Sequence, residues 1–282
     1  MAVCNVCFRH CDIKEGGTGA CKARGCRDGK VVPLNYGYFT ALALDPIEKK
    51  PLAKFCPGSY ILSIGNYGCN LFCPFCQNFE ISRSDGSEFD EKITPEKLAE
   101  VANAYKVRGN IGVAFTYNEP LICYEFIRDS AKLVKEMGMK NVLVTNGTAE
   151  LEVLEEIIPY IDAMNVDLKS FSEKTYREVL GGDLNMTKAF IERAVKDCHV
   201  ELTTLIVPGM NDTEEEMREL SGWIAGLKDK DGKIIGTEVP YHISRFFPRH
   251  KMSDKNPTDI GKIYMLADIV REKLKYVYTG NC

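Results

Sequence analysis

The chain has 282 residues, enough for one large domain or one domain with a small appendage. Its 45 % apolar and 27 % charged residues are ordinary globular values, and a formal net charge of −4 argues against the broad basic surface of a nucleic-acid binder. No apolar run approaches the ~18 residues of a membrane span, and twelve cysteines with no secretory signal before them point to the cytoplasm, where clustered thiols serve metals or redox chemistry.

Residues 1–58 read as a cysteine-rich extension. They hold Cys4, Cys7, Cys11, Cys21, Cys26 and Cys56 among many glycines, with too little apolar content to build a core alone. Tyr36–Leu44 reads as extended, ended by the Asp45-Pro46 break. From Ser59 onward, strands alternate with helices, so residues 59–282 read as the core domain. The pattern predicts strands at Tyr60–Gly65, Ile111–Thr116, Asn141–Thr145, Ala163–Leu168, Val200–Val207, Ile234–Val239 and Lys275–Tyr278. It predicts helices from Thr94, as N-cap with Pro95 in the first turn, to about Arg108, and at Leu121–Met137, Ala149–Ile158, Ser172–Leu180, Met186–Cys198, Thr213–Leu227 and Pro257–Leu274. This is an α/β alternation with a parallel sheet covered by helices. Six or seven units point to an incomplete or full β/α barrel, between which spacing does not choose. In either case ligands sit at the carboxyl ends of the strands. Cys123 and Cys198 lie in apolar helical surroundings and read as packing residues.

The strongest chemical signal is Cys69-x3-Cys73-x2-Cys76, three thiols on a loop just after a strand. Thiolates suit iron–sulfur clusters or zinc. Three cysteines with no local fourth leave one iron of a cubane open, which is what ligand binding at a metal requires. A structural zinc site with a distant fourth ligand, or a redox Cys-x-x-Cys pair, are the competing readings. The spacing, with aromatic Phe75 before the last cysteine, resembles the radical S-adenosylmethionine (SAM) superfamily. That resemblance implies a partial (β/α)6-type TIM barrel, a [4Fe–4S] cluster on Cys69, Cys73 and Cys76, and SAM chelated at the open iron. It also implies cleavage of SAM to a 5′-deoxyadenosyl radical and a reducing electron donor of flavodoxin or ferredoxin type.

Further positions follow successive strands in the order the resemblance implies. Thr116-Tyr117-Asn118-Glu119-Pro120 stands where the superfamily has a Gly-Gly-Glu-like turn, so Asn118 and Glu119 would meet the SAM ammonium. Thr145-Asn146-Gly147 is either a plain turn or a contact to SAM. Asp167-Leu-Lys169 resembles the Asp-x-Lys of glycyl-radical activases, an acid for ribose hydroxyls and a cation for a carboxylate. Pro240-Tyr241-His242 resembles a motif of the same activases, which would bring His242 to the ribose, and Phe75 would lie near the adenine.

Over the whole chain, Cys4-x2-Cys7-x3-Cys11, the run Asp45-Pro46-Ile-Glu48-Lys49-Lys50-Pro51, Gly68-Cys69-Asn70 and Gly280-Asn281 resemble the radical SAM member of the AmmeMemoRadiSam system. That family implies AMMECR-like and Memo-like proteins as partners and leaves the substrate open. After His242 the chain departs from glycyl-radical activases, reading Ile-Ser-Arg-Phe-Phe-Pro. The alternatives are such an activase, or a non-catalytic iron–sulfur electron carrier or scaffold. Four of the amino-terminal cysteines, or three with His10, could hold zinc or a second cluster, or all could be packed thiols. Their distance in sequence from the triplet predicts that the two groups are separable.

Overall fold

A computed structural model describes all 282 residues. Its centre is an eight-stranded sheet curled into an open barrel. In chain order the strands are β5 (Ala41–Pro46), β6 (Tyr60–Gly65), β7 (Asn110–Thr116), β8 (Lys140–Thr145), β9 (Ala163–Asp167), β10 (His199–Ile206), β11 (Tyr241–Arg245) and β12 (Val277–Gly280). They stand side by side in that same order, all parallel from β6 to β12, with β5 antiparallel on β6. Helices α2 (Pro95–Ala104), α3 (Tyr124–Glu136), α4 (Leu151–Ile157), α5 (Leu184–Ala194), α6 (Glu214–Ala225) and α7 (Ile260–Arg271) cover the outside, and short α1 (Phe79–Ser82) follows β6. Thr94 caps α2 as expected, its side chain accepting from the Lys97 amide.

Side chains alternate along each strand. Leu62, Ile64, Val113, Phe115, Leu143, Met164 and Leu202 face the helices in the main core. Ile47, Leu52, Ile61, Ala114, Val142 and Ala163 fill the lower interior of the barrel. Burying each such side chain stabilises the fold by roughly 1.5–3 kcal/mol before the entropy of ordering it is counted.

Three expectations change. The apolar run Ile234–Val239 is not a strand. It forms a short 3-10 turn at Gly236–Glu238, pressed so close to the end of α6 that a Cβ on Gly236 would lie 1.8 Å from the Ile224 carbonyl. The strand follows it, with Tyr241 and Ile243 fully buried. Ser172–Leu180 winds as a π-turn over Thr175–Leu180 rather than an α-helix. Asp45-Pro46 does not break the extended segment but ends β5, so part of residues 1–58 belongs to the main sheet. Pro46 is tolerated there because β5 is an edge strand.

Ahead of β5, residues 1–33 form a cap of two small sheets: β1 (Ala2–Val3) with β2 (Asp12–Ile13), and β3 (Arg24–Arg27) with β4 (Lys30–Pro33). Cys4, Val6, Ile13 and Cys26 join the main core. Arg24, buried, pairs with Glu125 at 2.7 Å, and the Glu150 amide donates to the Val6 carbonyl.

Candidate active site

The loop after β6 turns at Gly68. Its φ of +87° favours glycine, and a Cβ there would lie only 2.7 Å from the Cys21 carbonyl. Cys69, Cys73 and Cys76 follow, partly open to two cavities. One, of about 340 Å³, lies inside the barrel at the carboxyl ends of the strands. The other, of about 310 Å³, lies behind the loop and is bordered by Phe72, Arg83, His250 and Lys251. Burial pushes the Cys73 thiol up to about 11, partly offset by Lys169, and raises Cys69 well above its ordinary value. Iron binding therefore has to displace protons. No three His, Cys, Asp or Glu side chains stand at single-ion spacing, and a cubane does not ask it of them, since each thiolate would bind a different iron. The donor set still fits a cluster: three soft ligands on one loop, space beside them, and no fourth cysteine among the cavity's lining residues.

Strand ends bring the polar groups to the 340 Å³ cavity. Asn118, Glu119, Asp167, Lys169 and Phe75 all line it. Glu119 is buried, and accepts from the Thr145 hydroxyl at 2.7 Å, the Asn146 amide at 2.8 Å and the Leu121 amide at 3.1 Å. Burial raises its carboxyl to about 7 against those hydrogen bonds. One lone pair on Oε2 remains for a ligand donor. Asn118 is spent on the cysteine loop: its Oδ1 accepts from the Asn66 amide and its Nδ2 donates to the Gly68 carbonyl at 3.0 Å. It acts as a brace for Cys69 more than as an open contact. Asn146 lines the cavity too, its side-chain amide 3.9 Å from the Cys69 sulfur and 2.9 Å from Asn70 Oδ1.

Lys169 Nζ lies 2.8 Å from Asp167 Oδ2. Burial opposes its charge, but Asp167 and the Cys73 thiol hold its pKa above the ordinary lysine value. It therefore presents a firm cation beside the cysteines.

His242 does not join this group. Because β11 begins at Tyr241, His242 stands at the start of the strand, not its end, and does not line the cavity; Ser244, two residues on, does. Its Nε2 lies 2.6 Å from Glu201 Oε2, and its ring stacks on Tyr278. Glu201, fully buried, also accepts from His199 and from the Ala53 and Lys54 amides. Those partners outweigh burial and hold its carboxyl down at about 2. This polar node plugs the opposite end of the barrel.

Sequence reasoning missed one group. Tyr117 donates to Asp45 Oδ2 at 2.7 Å, Lys50 Nζ lies 2.8 Å from the same oxygen, and Lys50 and Tyr117 line the cavity. Tyr117 takes φ +75°, the region that favours glycine, so the turn keeps the backbone shape of a Gly-containing loop at some cost in strain. The string Asp45–Lys50 carried a resemblance but no chemical role. Thr203 and Asn281 also reach the cavity without any motif to mark them.

The Radical SAM superfamily model matches residues 63–221. The chain belongs to that superfamily. The uncharacterized protein MJ0808 of Methanocaldococcus jannaschii is 38 % identical over 99 % of this radical SAM chain and 80 % of its own length. The pyruvate formate-lyase-activating enzyme of Clostridium pasteurianum is 28 % identical over 62 % of this chain and 72 % of its own. Among solved structures, a radical SAM methyltransferase from Sphaerobacter thermophilus shares the fold with a TM-score of 0.60 at 15 % identity, covering 80 % of this chain and 67 % of that one. The radical SAM enzyme described here is thus a relative of activating enzymes, on an α/β fold whose site faces the strand ends. None of its helices is long and apolar enough to cross a membrane.

Proposed function

We propose that Cys69, Cys73 and Cys76 hold a [4Fe–4S] cluster with SAM bound beside it in the 340 Å³ cavity. The reaction is hydrogen-atom abstraction from a substrate other than a glycyl-radical enzyme. One observation carries this reading: the three thiols open on to a cavity ringed by Glu119, after β7, and by Asp167 and Lys169, at the end of β9. Held by Cys69, Cys73 and Cys76, such a cluster would supply the one electron needed for reductive cleavage of SAM, while the chain's own residues bind, orient and shield.

Glu119, with one lone pair left, receives the SAM ammonium. Lys169 meets its carboxylate, and Asp167 is placed for the ribose hydroxyls. Asn118 fixes the loop that sets the Cys69 sulfur. The enclosing barrel keeps water from the radical. An electron donor of flavodoxin or ferredoxin type is part of this reading, and so are AMMECR-like and Memo-like partners. Support comes from the cysteine-rich cap and from Ile243-Ser-Arg-Phe-Phe-Pro248, where the chain departs from activases.

The test is anaerobic reconstitution followed by electron paramagnetic resonance with and without SAM, and assay of 5′-deoxyadenosine under strong reductant. A signal that shifts on adding SAM, together with 5′-deoxyadenosine, is expected. A cluster that forms but never yields 5′-deoxyadenosine overturns the reading in favour of an electron carrier. The relationship to pyruvate formate-lyase activation supports a second reading. It would be established by a glycyl radical appearing on a partner protein.

A further inference from the structure

A second group of thiols lies outside this site. Cys4, Cys7, Cys11 and Cys21 all line one small cavity of about 10 Å³ inside the cap. They reach it from two short turns. The first is closed by the Cys4 amide donating to the Cys11 carbonyl and the His10 amide to the Cys7 carbonyl. The second is closed by the Lys22 amide donating to the Gly19 carbonyl. The Ala20 amide donates to the Cys11 sulfur at 3.5 Å, a contact that metal-bound thiolates commonly accept.

The remaining candidates drop out by position. Cys26 is hydrogen-bonded to Glu15 and does not line the cavity, His10 is half exposed and paired with Glu150, and Cys56 is exposed.

An independent observation points to a strong hydrogen-bond acceptor in the cavity. Arg24 lines the same cavity, is 5 % exposed, and its Nε has no hydrogen-bond partner although Nη1 is taken by Glu125. A buried guanidinium donor left alone is costly, and a neutral thiol is too weak an acceptor to satisfy it. A metal-bound thiolate is a strong one. Arg9, also lining the cavity, adds a second positive charge.

We propose that Cys4, Cys7, Cys11 and Cys21 together bind one zinc ion as a closed four-thiolate structural site. Four thiolates on a divalent ion carry two net negative charges; Arg9 sets one positive charge beside them, and Arg24, whose charge is paired with Glu125, offers its free Nε as a donor. Size favours a single ion over a second cubane: the cavity is about 10 Å³, whereas those beside Cys69, Cys73 and Cys76 are some thirty times larger. The gaps of two and three residues between Cys4, Cys7 and Cys11 fall within zinc spacing. The four thiols do not stand at single-ion spacing, so the site requires their side chains to rotate onto the ion.

The ion supplies what the cap's two short sheets cannot, a reason to hold one shape. It also reaches the active site. Arg9, between Cys7 and Cys11, donates to the Asn70 carbonyl at 2.7 Å and the Gly181 carbonyl at 2.6 Å. The distance in sequence that predicts separable sites is not a distance in space.

Metal analysis of the full chain tests this. Wild-type protein should carry about one zinc per chain alongside its iron. The Cys69→Ala/Cys73→Ala/Cys76→Ala variant should keep the zinc and lose the iron. Adding Cys4→Ser and Cys7→Ser should bring zinc to background. Should those further changes prevent folding, cobalt replaces them as the probe: in the triple-alanine variant it should give the thiolate-to-cobalt charge transfer and tetrahedral bands of a four-sulfur site. Absence of both zinc and those bands in the triple-alanine variant overturns the proposal in favour of packed thiols. Iron retained there overturns it in favour of a second cluster, and zinc that survives the Cys4/Cys7 changes places the ion elsewhere.

Discussion

The two ends of the barrel use the same side-chain types to opposite purpose. At the lower end, Glu201 has its oxygens fully engaged by His199, His242, Ala53 and Lys54, and nothing is left for a ligand. At the upper end, Glu119 keeps one lone pair, Lys169 has only Asp167, and three thiols face open space. A buried charge with all partners supplied by the protein stabilises the fold. One left short of a partner holds binding capacity in reserve.

The sharpest way to break this comparison is at the triplet. Cys69→Ala/Cys73→Ala/Cys76→Ala should abolish 5′-deoxyadenosine formation while a denaturant titration finds the barrel folded. At the lower end, Glu201→Ala should cost about 3–5 kcal/mol, since it strips a buried node of its anion. It should leave SAM affinity per folded molecule unchanged, and His242→Gln should act in the same direction but less. If His242→Gln weakens SAM binding as much as stability, the assignment of that histidine to the plug fails.

Lys169→Ala should weaken SAM binding roughly 10–100-fold, the loss of a charge-assisted contact of about 1.5–3 kcal/mol, with a small change in stability.

The two carboxylates also separate by pH. Glu201 has its pKa lowered to about 2, so its contribution is present above its ordinary pKa of 4.5 and lost as pH falls toward 2. Glu119 is raised to about 7, so the folded state holds a proton that the unfolded chain releases, and stability falls as pH rises from 4.5 toward 7. Each slope is at most about 1.4 kcal/mol per pH unit. Glu201→Gln should flatten the acid limb alone and Glu119→Gln the near-neutral limb alone, in stability measured across pH on protein without SAM. The smallest effect is expected far from both ends. Thr94→Ala removes the α2 cap and should cost about 1 kcal/mol with SAM affinity untouched.

Much of the upper end was legible because its signals are local. Cys69, Cys73 and Cys76 lie within eight residues, Glu119 follows an apolar strand, and Asp167 and Lys169 are two apart on one rim. Periodicity recovered the parallel strands β6 to β10 for the same reason. His242 failed on a boundary. The apolar run Ile234–Val239 looks like a strand, but the close approach of Gly236 to α6 is a tertiary constraint that no local pattern carries. Taking that run as the strand put His242 at the wrong end of the barrel. Asp45, Lys50 and Tyr117 meet across 72 residues, and Glu201 gathers donors from segments up to 148 residues away, so neither group leaves a mark in spacing. The cap's fourth thiol, Cys21, was likewise indistinguishable from Cys26 until the two turns were folded together.

The plug at Glu201 also orders events in time. Its donors come from Ala53 and Lys54, early in the chain, and from His199 and His242, late in it. A growing chain can pair β5 with β6 and seat the cap on Asn70, Glu125 and Glu150 with only the first 150 residues made. The 53–54 loop must then wait, its amides unclaimed, until the second half arrives. The floor of the barrel is therefore completed only once His242 is made, and a chain stalled before it has its cysteine loop and its cap but no completed floor.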